Sequence, residues 1–337
     1  MKELRKQQQD GAKGARLLYT GPMLDGSDAT WPSLVRTTEN ADDAAEAVED
    51  HLKAGADAIK LYTTLKPDSV RRCIEQVDSR VPVTGHLGRT LASEAMRAGI
   101  NGLEHALLTP YNDLAPEEHR TGRDELMLTP GFWQKVNAGW IAADLTADTA
   151  KRWIDLLVER NVSLCPTLTV VPGADAPDEE AFDHLPNYKK MREDRMRLSG
   201  RQAPAMTDEM RDRLRPVREK LQELCRRVHE AGGRVISGTD TGAVGVVPGF
   251  SLHAELGHLS GAGLTNMDVI RASTARAAEA LWRDDLGTIE PGKRADFLLV
   301  RSDPLKDIAA LRDIQHVVRD GKLFDPQDLL DEARTAK

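Results

Sequence analysis

Four polar residues stand where apolar runs end: Lys60 in IKLYTTL, His86 in VTGHLG, His105 in GLEHALL and Asp240 in SGTDTG. A charged or polar side chain in such a place is costly unless it is paired. Taken singly, each has a plainer reading as a satisfied core residue, and Asp240 before Thr241-Gly242-Ala243 also reads as a helix N-cap. Four of them at equivalent ends of four strands are harder to assign to packing. Histidines and a carboxylate suit a hydrolytic metal ion, most readily zinc. A carboxylate beside an activated water can also serve as general base and then general acid.

The elements that must position these residues follow one rhythm: a short apolar strand, a loop, then an amphipathic helix. Strand runs occur at 15–21, 56–63, 81–87, 100–108, 161–170 and 233–240. Helical patterns such as DDAAEAVEDHLKAGA, PDSVRRCIEQVD and TLASEAMRAGI lie between them, each ending near glycine or a polar turn. Strands alternating with helices predict an α/β fold with a parallel sheet, and repetition on this scale favours a (β/α) barrel. No G-x-G-x-x-G follows any strand run, which counts against a doubly wound dinucleotide-binding sheet. In a (β/α)8 barrel the C-terminal strand ends converge on one mouth. The stretch GHLGRTLASEAMRAGINGLEH is then a strand end, a helix and the next strand end, which brings His86 and His105 side by side.

Two segments break the rhythm. Residues 171–206 form a long polar insertion, expected to be a lid, a binding loop or a mobile excursion. A helix follows over 207–230, its charges on a solvated face. After Trp282 the runs LGTIEPGKRADFLLVRSDPLKDI and QHVVRDGKLFD read as strands and turns, with Asp320-Gly321 as a hairpin signal. The expected division is a barrel over 1–283 and a β appendage over 284–337, too small to hold a core alone.

Composition narrows the classes. The chain has 337 residues, 40% of them hydrophobic, and a formal net charge of −8. The acidic excess leaves no electrostatic footprint for nucleic acid, and no apolar run is long enough for a bilayer span. The polar opening MKELRKQQQDG shows no signal peptide, so a cytoplasmic protein is expected. Cys73, Cys165 and Cys225 are widely spaced and unpaired in pattern, which predicts reduced thiols. No G-x-S-x-G elbow marks a serine hydrolase.

The series IKLYTTL, VTGHLG, GLEHALL, SGTDTG and LGTIEPGKRADFLLV resembles the amidohydrolase superfamily, in its imidazolonepropionase- and prolidase-like branch. The tail GTIEPGKRADFLLVRSDPL with VVRDGKLF is its most distinctive part. The resemblance spans nearly the whole chain and implies a TIM-type barrel with part of a composite β-sandwich. It implies a carbamate on Lys60, formed with CO2, bridging two divalent ions. His86 and His105 would bind one ion; Asp240 would bind the other and shuttle a proton between attacking water and leaving group. The implied reaction is hydrolysis of a C–N bond in an amide, cyclic amide or dipeptide.

The family pattern also has a His-x-His pair on the first barrel strand, and this sequence has none. Its first histidine, His51, lies in the helical run EAVEDHLKAGA. About six of eight strands are counted, so an N-terminally truncated chain is expected. Its open strand edges would invite pairing with another copy, a homo-oligomer. The site that keeps Lys60, His86 and His105 still has three ligands, enough for one catalytic zinc. The alternatives are a catalytically impaired relative and a non-catalytic barrel that binds a small ligand. Tyr62, two residues from Lys60, Arg89 just past His86, and His253 in SLHAELGHL are candidate substrate contacts. In the same run, Glu255 and His258 have E-x-x-H spacing but lack the second motif that a di-iron bundle needs.

Overall fold

The strand–helix alternation is realised in the computed structural model, which describes residues 2–9, 14–125, 127–171, 182, 188–199, 207–243 and 245–335. The chain divides into two compact units. The first comprises Met1–Leu164 with Ala231–Gly233 and Ala280–Trp282. In chain order it carries α1 (Lys2–Gln9), β1 (Met23–Gly26), β2 (Val35–Thr38), α2 (Ala41–Lys53), β3 (Ile59–Leu61), α3 (Pro67–Val77) and β4 (Val83–Gly85). There follow α4 (Ala92–Ala98), β5 (Gly102–Glu104), α5 (Tyr111–Leu114), α6 (Phe132–Ala142), α7 (Asp148–Glu159) and β6 (Ser163–Cys165).

Local chemistry explains the helices. The Asn40 carboxamide oxygen accepts from the Asp42 and Asp43 amides and caps α2. Asp42 and Asp43 sit in its first turn, and His51 and Lys53 in its last, as the helix dipole favours. Ala44, Ala45, Ala47, Val48 and His51 form its buried stripe, which packs on the stripe of α3 that holds Val70, Cys73 and Val77. Pro67 opens α3, and Gly99, at φ 102°, closes α4.

The strands are short and run in the order β2-β1-β3-β4-β5-β6, with parallel pairing from β2 to β5. The expected strand at 15–21 is not one; β1 and β2 lie downstream of it. Residues 15–21 are tied down by polar bonds instead: Tyr19 N–H donates to the Asp57 carboxylate, Asp57 N–H to the Tyr19 carbonyl, and the Tyr19 hydroxyl to the Ala54 carbonyl. Gly21, at φ 78°, then turns the chain where a Cβ would strike the His51 ring at 2.5 Å. The edge of the sheet is therefore β2, whose Arg36 and Thr37 are exposed, a polar edge of the kind that discourages further pairing.

The second unit comprises Cys165–Glu230, Arg234–Glu279 and Arg283–Lys337. Cys165 ends β6 there, and β7 (Arg234–Val235) follows it in the strand order after α8 (Tyr188–Ser199) and α9 (Asp208–Glu230). The sheet counts seven strands, against the smaller number expected. The run at 233–240 contributes only the two residues of β7. In α9 the buried residues Leu214, Val217, Leu221, Leu224, Cys225 and Val228 recur at helical spacing. Of the insertion at 171–206, only Val171, Phe182 and α8 lie within the described residues.

Next come α10 (Phe250–Gly261), α11 (Asn266–Ser273) and α12 (Ala275–Ala280), then β8 (Phe297–Val300), β9 (Ile314–Arg319), β10 (Lys322–Phe324) and α13 (Pro326–Thr335). The last three strands form an antiparallel sheet in the order β10-β9-β8. The Asp320-Gly321 hairpin lies between β9 and β10, with both residues at positive φ (48° and 75°), as its turn requires.

One close approach in the first unit tests its packing. Tyr111 is buried, and its hydroxyl donates to the carbonyls of His119 (2.5 Å) or Lys135 (2.9 Å). A Cβ at Gly139 would collide with that hydroxyl and lie 2.8 and 2.9 Å from the ring carbons. Gly139→Ala should therefore destabilise the fold by about 1–3 kcal/mol. Urea denaturation reads this directly, and a variant as stable as the parent would show that Tyr111 can yield.

Candidate metal and substrate site

Parallel register brings the first three candidates together. Lys60 pairs with Thr84 across β3 and β4, Leu61 with Gly85, and Gly85 with Leu103 across β4 and β5. His86 and His105 each follow the last residue of their strand, and their rings sit with centroids 4.4 Å apart. Tyr62, just past β3, meets His86 edge-on at 5.0 Å. His105 has φ 64°, a left-handed conformation for which a non-glycine residue incurs strain. The turn behind it is closed by Leu108 and Thr109 N–H groups donating to its carbonyl at 3.1 Å each.

His86 is only 6% exposed, yet neither of its ring nitrogens has a hydrogen-bond partner. Burial holds its pKa well below the ordinary value, and electrostatic repulsion from the neighbouring His105 and Lys60 side chains acts in the same direction. The ring is therefore neutral at neutral pH, the form that ligates a metal. An imidazole buried without partners beside a second imidazole fits a ligand better than it fits a packing role, since an unmet buried polar group is costly. Among the described residues there is no group of three or more His, Cys, Asp or Glu gathered for metal binding.

Beside His86 opens a small cleft lined among others by Thr63, Leu108, Tyr111, Glu125 and Phe132. Its floor, the turn after β3, is fastened from both sides. From β1, the fully buried Asp25 carboxylate accepts from the Thr64 amide (2.7 Å) and hydroxyl (2.8 Å). Burial raises the Asp25 pKa, partly offset by those bonds. From the β4 side, the Arg89 amide donates to the Thr63 carbonyl at 2.8 Å. All five N–H donors of the Arg89 guanidinium are engaged: by Asp28 twice, by Asp124, and by the carbonyls of Thr64 and Arg123. Arg89 thus braces loops around the cleft.

The remaining candidates belong to the second unit. Asp240 is exposed, lies beyond β7 at φ 53°, and has its carbonyl bonded by the Ala243 amide at 2.9 Å. His253 is half-buried in the first turns of α10, where burial lowers its pKa and Nδ1 has no partner. Glu255 is completely buried; Oε2 accepts from the Thr169 amide at 2.9 Å and Oε1 is unmet.

The sequence reading did not single out Asp25 or Thr63. Asp25 lies in MLDG, which looks like a turn. Thr63 differs from its neighbour Thr64 only in that its buried hydroxyl has no partner, a property of the fold.

Comparison with known proteins places this geometry in context. A model of the amidohydrolase family matches residues 1–324. Over 85 residues the chain is 40% identical to the imidazolonepropionase of Deinococcus deserti, a match that covers 25% of this chain and 21% of that protein. A Xaa-Pro dipeptidase crystallised with methionine in its active site superposes with a TM-score of 0.62 at 20% identity, over 96% of this chain and 71% of its own. A bottromycin amidohydrolase gives 0.69 at 23% identity, over 97% and 68%. At such identities the structural likeness speaks to the fold.

Glu255 yields a stability test. Burial pushes its carboxyl from an ordinary 4.5 up to about 7. Between those values the folded chain keeps a proton that the unfolded chain has released. Stability therefore rises as pH falls from about 7 toward 4.5, and the full penalty persists above 7. Glu255→Gln keeps an acceptor for Thr169 without the charge, so it should be more stable than the parent at pH ~8, by up to about 3 kcal/mol. That gain should shrink to below about 1 kcal/mol at pH ~5 and vanish as the pH falls below about 4. Denaturation curves at both pH values check it; an equal effect at both would show that ionisation is not the cause.

Proposed function

The chain belongs to the amidohydrolase family, and from that premise we propose that it is a metal-dependent hydrolase of C–N bonds. Its substrates are small amides, cyclic amides or dipeptides. The observation that carries this reading is the buried, neutral His86 ring with both nitrogens unmet, packed against His105 at a strand end.

His86, His105 and Lys60 would hold a divalent ion, zinc first, with Lys60 as its carbamate. That group forms when the neutral amine adds to CO2 and loses a proton, turning a cationic side chain into an anionic donor. A bound divalent ion supplies a polarised carbonyl and a water acidic enough to attack near neutral pH. As the family resemblance implies, Asp240 would serve as the group that holds the proton between attack and departure of the leaving nitrogen. Tyr62 and His253 are assigned to substrate contact, and Arg89 to holding the cleft walls in place. The likeness to a Xaa-Pro dipeptidase, an imidazolonepropionase and a bottromycin amidohydrolase motivates a screen of dipeptides, cyclic amides and peptide amides.

Purified protein should carry a divalent ion by elemental analysis and turn over at least one compound of that screen. Asp240→Asn should lower kcat by about 10²–10⁴-fold while the metal content stays unchanged. Metal loading should depend on bicarbonate, and Lys60→Ala should lose metal unless a short carboxylate is added. Protein without metal and without turnover would refute the assignment. Full activity of Lys60→Ala without added carboxylate would remove the carbamate.

A further inference from the structure

The cleft beside His86 contains a second unmet polar group. Thr63 is 5% exposed, lines the cleft, and its hydroxyl has no hydrogen-bond partner. Its position is not slack. The Thr63 carbonyl accepts from the Arg89 amide at 2.8 Å, and a Cβ on Gly88 would lie 2.9 Å from that carbonyl, so only glycine lets the β4 turn close over it. Next door, Thr64 is clamped by Asp25. A rigidly held hydroxyl, buried yet unmet, loses hydration without recompense unless something entering the cleft supplies the bond.

The walls indicate what enters. Leu108, Tyr111, Met127 and Phe132 offer apolar surface. The one carboxylate in the lining, Glu125, is held below its usual range by the Gly122 amide and the Lys135 ammonium, with Lys135 at 3.0 Å. Its charge is thus already balanced. A charged group brought into these walls would shed water without gaining a free counter-charge.

We propose that this cleft is the subsite for an uncharged side chain of the substrate, and that the Thr63 hydroxyl hydrogen-bonds the substrate's backbone there. The proposal rests on the hydrolase reading for the nature of the substrate, and it names the part of the molecule that reading leaves open: a dipeptide or amide with an aliphatic or aromatic residue in the cleft.

Two measurements on the full chain separate the subsite from the chemistry. In calorimetry, L-leucine, the product-like probe, should bind at least tenfold more tightly than L-lysine or L-glutamate. Thr63→Val should weaken leucine binding about three- to tenfold, the effect of one neutral hydrogen bond, and Thr63→Ser should restore it. The melting temperature should not fall in Thr63→Val, because the lost hydroxyl has no protein partner. A hydroxyl that serves only the fold would instead lower it. In turnover of Leu-, Lys- and Glu-containing dipeptides, Thr63→Val should reduce kcat/KM for the leucine compound by the same factor. Leucine binding that is absent, or unchanged in Thr63→Val, overturns the subsite even if dipeptides are hydrolysed. Leucine binding that weakens as stated, with no bound metal and no dipeptide, cyclic amide or peptide amide hydrolysed, upholds the subsite and removes the hydrolase reading.

Discussion

Parallel pairing decides which side chains can meet at a strand end. In this chain the register of β3, β4 and β5 is the constraint on which the site depends. Lys60 opposite Thr84 and Gly85 opposite Leu103 set the three strand ends almost level. Whatever follows those ends is then crowded into one place. A one-residue slip of β4 would send His86 to the other face of the sheet, and the ring contact at 4.4 Å would be lost. The register is itself held by what the strands bury: Ile59, Leu61, Val83 and Leu103 are all essentially inaccessible to water. Core packing and site geometry therefore share one cause.

Unmet polarity and backbone strain coincide at the strand ends. Buried polar groups such as Thr38, Thr90 and the Trp140 indole are matched by backbone carbonyls, whereas Asn137 and Trp153, away from the strand ends, each keep one unmet atom. Near the strand ends His86 and Thr63 are left unmet, and His105 takes up a left-handed backbone. Strain and unmet polarity of this kind lower stability and persist where the surroundings over-determine the geometry. Here Asp25 and Arg89 supply that determination from opposite sides of the turn.

Much of this arrangement can be read from residue order. The alternation of strand and helix, the Asp-Gly hairpin and the adjacency of His86 and His105 follow from periodicity and turn chemistry. The misread portion has a physical reason. Residues 15–21 have the composition of a strand, but Asp57 claims the Tyr19 amide and carbonyl, and Gly21 turns the chain away. MLDG and VRTT pair instead, although a strand ending in Asp-Gly imitates a turn. Arg89 stands where a substrate contact was expected. Which partners its guanidinium has depends on Asp28 and Asp124, loop residues whose positions no local pattern encodes. Thr63 was invisible for the opposite reason: its signal is a missing partner.

The division of labour between strands and connections has a consequence for how such a protein can change. The proposed ligands sit at the ends of β3, β4 and β5, whereas Tyr111, Met127 and Phe132 stand on the connection that runs from β5 to α6. That connection is fastened to α4 by Arg123 pairing with Glu94, and to the β4 turn by Arg89 reaching Asp124, contacts made by its outer residues. Of its inward-facing residues, Met127 takes no part in that fastening, whereas Tyr111 is tied to the carbonyls of His119 and Lys135. On the proposed reading, selectivity would sit on that connection and the chemistry on the strand ends, so that a new preference would arise at a position such as Met127 while the proposed ligands are kept.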